Sequence, residues 1–260
     1  MDAILRSGAV LGEARPPVEL VNLKGVHKHY RGAAGRSPSH ALHDIHLQLA
    51  AGEMVAICGP AGSGKTSLLN VIGMLSPATE GSVVIDRLLV AKLPEQARAD
   101  LRCELIGFVF QSFSLIPVLT VLENVMLPLM LRGRLGTAAY LTLQARAADL
   151  LARLGLGSCS GQYPARLDAG QCQRAAIARA LIAQPRLVIA DEPASRLDHG
   201  SVRLVMDLFA RQQREHGTAF VISTSDQRQF GRATRSLQLN EGRLQHSGAD
   251  GGRQALRVQS

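Results

Sequence analysis

Hydrophobic and polar positions change rhythm several times along this chain, and each change marks a different kind of element. Over residues 18–23 and 45–49 apolar and polar side chains alternate, the period of a strand with one buried face. A loop containing Gly and Ser, residues 31–39, separates the two runs, so a small antiparallel sheet is expected there. The runs 54–58, 106–110, 187–190 and 219–222 are apolar almost throughout, as strands covered on both faces are. They alternate with helical patterns such as residues 202–213, which predicts a parallel sheet with helices on both sides. Between Phe113 and Ala183 the strand signal gives way to helical spacing over residues 121–131, 138–154 and 170–182. The expected fold class is therefore α/β: a core with a parallel sheet covered on both faces, a small antiparallel β-subdomain, and an inserted α-helical subdomain over about residues 113–183. Residues 1–19 read as a polar leader, 20–246 as the folded domain and 247–260 as a Gly-rich tail.

Composition narrows the classes. At 260 residues and 46% hydrophobic content, the chain can bury a sizeable core. Its most hydrophobic stretch, residues 115–131, is interrupted by Pro117, Thr120, Glu123, Asn124 and Pro128, so it does not predict a simple membrane span. The first residues lack an apolar core of signal-peptide length, and export is not expected. Cys58, Cys103, Cys159 and Cys172 show no C-x-x-C spacing and read as free thiols of a reducing compartment. The net charge of +8 is compatible with nucleic acid, anionic lipid or nucleotide. With 3% aromatic residues and no tryptophan, a base-stacking surface is not expected, and nucleic acid is not an expected partner.

The chemistry is concentrated in Gly59, Pro60, Ala61, Gly62, Ser63, Gly64, Lys65 and Thr66, a complete G-x-x-x-x-G-K-[ST] phosphate-binding loop between an apolar strand and a helical stretch that opens with Ser67. Glycines allow the backbone to aim successive N–H groups at phosphate oxygens, and the helix N-terminus adds favourable partial charge. Lys65 suits the β and γ phosphates of a nucleoside triphosphate, and Thr66 suits Mg2+. A second strand, residues 187–190, ends in Asp191 and Glu192. Asp191 is placed to hold the metal through its water shell, and Glu192 to orient or deprotonate an attacking water.

Further runs complete a family pattern. Residues 106–113, which include Gln111, residues 167–174, and residues 191–198 resemble the Q-loop, signature, and Walker B plus D-loop of ABC-transporter ATPase subunits. The resemblance covers about residues 20–245. Within the superfamily, residues 108–125 look most like the branch holding the lipoprotein-releasing and macrolide-export ATPases. It implies a P-loop NTPase (RecA-like) core and a peripheral subunit on the inner face of the cell membrane, where contact with the membrane runs through a transmembrane partner subunit. It also implies a homodimer in which each ATP is sandwiched between the phosphate loop of one copy and the signature of the other. By the same resemblance Tyr30 would stack on adenine, Gln111 would touch Mg2+ and sense the γ-phosphate, and Asp168, Gly170 and Gln171 would sit in the signature that faces the opposite nucleotide. Ser195 to Asp198 would form the D-loop; an ordinary turn with Asp198 capping a helix after Gly200 is the other reading.

Two positions depart from the pattern. The family signature carries Ser-Gly-Gly where this chain has Asp168-Ala169-Gly170, so a hydroxyl donor is replaced by an acceptor-only anion. Two unit charges about 4 Å apart repel by roughly 1 kcal/mol in water-like surroundings and about 4 kcal/mol at an effective dielectric near 20. Asp168 is also well suited to cap a helix beginning near Ala169, which would occupy the N–H groups meant for phosphate. The second departure is Ser225, which aligns with the family's switch histidine. Serine is shorter and carries no positive charge, and loss of one preorganised donor typically costs about 10² to 10³ in rate. The expected function is an ATP-binding subunit of a membrane transporter that exports or extracts a lipoprotein-like or hydrophobic substrate, with slowed hydrolysis. A non-hydrolysing, ATP-responsive scaffold or regulator is the alternative, and both readings predict binding of ATP and Mg2+.

Overall fold

The structure, a computed structural model, describes residues 19–31, 39–133, 135–225 and 233–246. The expected leader and tail lie outside the described residues, apart from Glu19, which opens the first strand. Strands β1 (Glu19–Tyr30) and β2 (Ser39–Ala50) pair antiparallel. Each is twice as long as its alternating run suggests. Register shifts fall between Leu23 and Val26 and between Val26 and Lys28, and Gly25 takes a left-handed φ of 57°. Such bulges break the period of two, so alternation is legible only as far as Leu23. Strands β4 (Glu80–Ile85) and β5 (Leu88–Leu89) complete a four-stranded sheet in the order β2-β1-β4-β5.

The second sheet contains β3 (Met54–Cys58), β6 (Ile106–Val109), β7 (Leu187–Asp191), β8 (Ala219–Thr224), β9 (Arg235–Asn240) and β10 (Arg243–His246), ordered β10-β9-β3-β8-β7-β6. Five of these strands run parallel. β10 returns antiparallel to β9 through Glu241 and Gly242, whose φ values of 46° and 74° fit a two-residue turn that matches strand twist. Among the described residues, six α-helices surround the sheets: α1 (Lys65–Ile72), α2 (Glu95–Leu105), α3 (Val121–Met130), α4 (Thr137–Arg153), α5 (Ala169–Leu181) and α6 (His199–His216). Between β6 and β7 the described residues contain helices and no strand.

Successive residues of β3 serve two cores, as strand geometry requires. Met54, Ala56 and Cys58 pack with buried residues of α3, α4, α5 and α6. Val55 and Ile57 pack with Leu68, Leu69 and Ile72 of α1 and with the antiparallel sheet. The parallel sheet is thus covered on both faces, and its C-terminal edge is left to carry the site. Helix α6 begins three residues earlier than its periodicity indicates, because Asp198 caps it directly by accepting from the Ser201 backbone N–H at 2.9 Å. Among the described residues no helix is long and apolar enough to cross a membrane. All four cysteines are free.

Candidate functional site

Strand β3 is buried along its whole length and delivers the chain into Gly59. A Cβ at Gly59 would lie 2.2 Å from the Leu239 carbonyl oxygen, and one at Gly64 would lie 2.4 Å from that of Ala41. The loop is therefore wedged between the backbones of β9 and β2, where only glycine fits. Pro60, Ala61 and Gly62 are exposed, while Ser63 is buried with a hydroxyl that has no partner. Helix α1 starts after Gly64, and no side chain caps its N-terminus. Its first-turn N–H groups are open to an anion.

Lys65 is 7% exposed and folds back on the loop, donating to the carbonyls of Gly59 at 2.8 Å and Pro60 at 3.0 Å. Its Nζ also lies 3.9 Å from Glu192 Oε1. Thr66 donates its hydroxyl proton to Asp191 Oδ2 at 2.7 Å. Strand pairing explains this meeting: β3 and β7 flank β8, so the loop after one and the acids closing the other emerge at the same edge of the sheet. Ligands of open parallel sheets characteristically bind in the crevice outside the strands' carboxyl ends. The donor set offered there, a threonine hydroxyl and a carboxylate, is oxygen only and suits Mg2+.

Tyr30 closes β1 at the far end of the loop, where its hydroxyl lies 3.3 Å from Ser67 Oγ. Lys28 Nζ sits 4.9 Å from the ring centroid. Gln111 is exposed in the segment after β6. That segment is tied to α5 by Arg179, which donates to the carbonyls of Phe113 and Ser114 at 3.0 and 2.7 Å. A groove of about 870 Å3 opens beside it, with Phe108, Phe110, Ser114, Leu127 and Leu131 in its walls. Ser225 is exposed one residue beyond β8.

Asp168 is the N-cap of α5 and forms a reciprocal capping box. Its Oδ1 accepts from the Gln171 backbone N–H at 2.7 Å, and Gln171 Oε1 accepts from the Asp168 N–H at 2.9 Å. One N–H of this helix start is thereby consumed. Burial pushes the nearby Cys172 thiol pKa up, and the Asp168 carboxylate adds to the shift. Gly170 is half-buried against the Arg196 carbonyl. Ser223 was not anticipated: it is fully buried and bonds to both Asp191 and Glu192. Its register opposite the strand-end acid exists only once β8 lies beside β7, so nothing in the spacing marks it.

A family model described as ABC transporter matches residues 42–195. The chain belongs to the ABC transporter family. Membership makes it an ATP-binding ATPase subunit. The ABC chain is 41% identical over 210 residues to the "Lipoprotein-releasing system ATP-binding protein LolD" of Bordetella avium, spanning 81% of this chain and 90% of that protein. The protein of the same description from Anaeromyxobacter dehalogenans is 43% identical over 232 residues, 89% of this chain and 93% of the relative. Among solved structures, the dimeric post-hydrolysis state of the ATP-binding cassette MJ0796 bound to ADP and Pi superposes with a TM-score of 0.81 at 37% identity, covering 87% of this ABC chain and 98% of that one.

Proposed function

We propose that this chain is the MgATP-using subunit of a lipoprotein-releasing transporter, peripheral on the inner face of the cell membrane and active as a dimer. The observation that carries the nucleotide part is the contact of Thr66 with Asp191 at 2.7 Å, beside Lys65 and Glu192 at 3.9 Å. It joins the end of the phosphate loop to the strand-end acids in one place. In this reading Gly59 through Thr66 and Ser67 cradle the phosphates, and Lys65 exchanges its carbonyl partners for phosphate oxygens. Tyr30 stacks on the adenine. Thr66, Asp191 and Gln111 would hold Mg2+, whose chemistry there is to neutralise phosphate charge. Glu192 acts as general base. The relatives named for lipoprotein release support the substrate class. The apolar groove beside Gln111 supports a seat for the transmembrane partner, since Phe110 and Ser114 on either side of Gln111 help to line it.

We further propose that turnover is slow, because the parts that close on ATP differ from those that capture it. Asp168 presents an anion and a capped helix start to the opposite nucleotide, and Ser225 offers no cationic donor. Pairing with an unaltered homologue would leave one site without the histidine and the other facing Asp168. Nucleotide affinity and turnover measured on one sample, with the membrane partner present, test both parts. The expected result is ordinary ATP affinity with low turnover, raised by about 10² to 10³ in the double variant Asp168→Ser, Ser225→His. Ordinary transporter rates in the unsubstituted chain refute the slow-turnover reading, and failure to bind ATP refutes the whole.

A further inference from the structure

Ser223 breaks an otherwise apolar run, Ala219-Phe220-Val221-Ile222, at the place where β8 pairs with the acid at the end of β7: its register partner is Asp191. The side chain is 0% exposed. A hydroxyl buried so completely needs partners of its own, and this one has two. Ser223 Oγ donates to Asp191 Oδ1 at 2.5 Å and accepts from the Glu192 backbone N–H at 2.9 Å. The same N–H also reaches the Ser223 carbonyl at 3.2 Å. The opposite oxygen of Asp191 is held by Thr66, so both carboxylate oxygens are fixed by hydroxyl groups from different elements.

Glu192 sits at a φ of 47°, a left-handed conformation unfavourable for a residue with a Cβ. Its backbone therefore needs external bonds to persist, and the Ser223 hydroxyl and carbonyl supply them. That conformation sets where the Glu192 carboxylate points, which is toward Lys65. We infer that Ser223 is a positioning residue for the reaction, one hydroxyl that locks the plane of the metal-side carboxylate and the backbone of the general base together. The inference rests on the roles proposed above for Asp191 and Glu192.

Hydrogen-bond partners of metal-binding carboxylates typically contribute 10- to 100-fold to metal affinity or activity. In full-length Ser223→Ala, the Mg2+ concentration that half-saturates the Mg2+ effect on fluorescent-ATP binding is expected to rise about tenfold, and kcat to fall about tenfold, with KM for ATP at saturating Mg2+ unchanged. ATP affinity in EDTA is expected to stay as it was, because the phosphate loop is untouched. An unaltered Mg2+ midpoint and kcat overturn the inference, and so does equal loss of ATP binding with and without metal, which would assign Ser223 to folding alone. Glu192→Gln separates the two levels: full turnover in that variant sinks the general-base reading, while the Mg2+ midpoint of Ser223→Ala still reports on the carboxylate lock.

Discussion

Helices α1 and α5 both begin at positions that the proposed function brings to ATP, and their N-termini are built in opposite ways. At α1 the preceding residue is Gly64, no side chain caps the helix and no acid occupies its first turn. At α5 the preceding residue is Asp168, which caps the helix through a reciprocal pair of bonds with Gln171. An uncapped helix start attracts an anion through unsatisfied N–H groups and the helix dipole. A start capped by a carboxylate has spent part of that attraction internally and presents negative charge. On the roles proposed above, capture and closure are separable in this chain, each resting on one end of one helix.

The largest effect is expected where the open end is disabled. Lys65 lends α1 its only cation, and that cation now rests on two neutral carbonyls. Hydrogen bonds to charged groups contribute about 1.5–3 kcal/mol, so Lys65→Ala should weaken ATP binding by about 10- to 100-fold. Calorimetric titration checks this. Undiminished affinity would show that the Lys65 ammonium does not serve phosphate.

Legibility of these two ends in the sequence was uneven for physical reasons. The phosphate loop is a local feature, so its residues, its strand and its helix could be read together. The helix cap at Asp168 was equally legible because an Asp two residues before Gly170 acts over three positions. Strand and helix types in the parallel sheet followed from buried apolar runs. Residues 80–105 carried no such run, and β4, β5 and α2 appear there without notice; α2 packs into the core only through Leu105 and the partly buried Leu101, while Arg98 and Arg102 pair with the exposed Glu95. Ser223 could not be read at all from spacing, since its role exists only once β8 is laid beside β7. Glu241 concealed the β9–β10 turn, because the left-handed pair there usually advertises itself with Asn or Asp before glycine.

A milder change at the closed end separates charge from geometry. Asn caps helices about as well as Asp, so Asp168→Asn keeps the geometry at α5 and removes only the charge. Asp168 is exposed, which favours the water-like value of roughly 1 kcal/mol for its repulsion of a facing phosphate, about fivefold in equilibrium. ATP-dependent dimerisation, followed by sedimentation, should tighten by about that factor for each of the two sites of a homodimer, roughly 30-fold in all. No change would leave the blocked N–H group, and not the charge, as the obstacle to closure.

Helix α3 supplies the smallest effect and the control for both ends. It too begins with a capping box, in which Thr120 accepts from the Glu123 N–H at 3.2 Å and Glu123 Oε2 accepts from the Thr120 N–H at 2.7 Å. No family motif assigns this helix start to ATP. Thr120→Ala should cost about 1 kcal/mol of stability, a fall of about 2–4 °C in Tm, with ATP affinity unchanged. The Thr120 N–H and then its hydroxyl hold the Glu123 carboxyl pKa below the usual glutamate value. A depressed folded-state pKa gives stability that is present above the unfolded value and is lost as pH falls through the folded one. Thermal melts between about pH 6 and pH 3 should therefore show a steeper loss in the unsubstituted chain than in Thr120→Ala. If the two slopes coincide, the Thr120 hydroxyl contributes nothing that depends on charge, and the backbone N–H of residue 120 alone holds the Glu123 carboxylate.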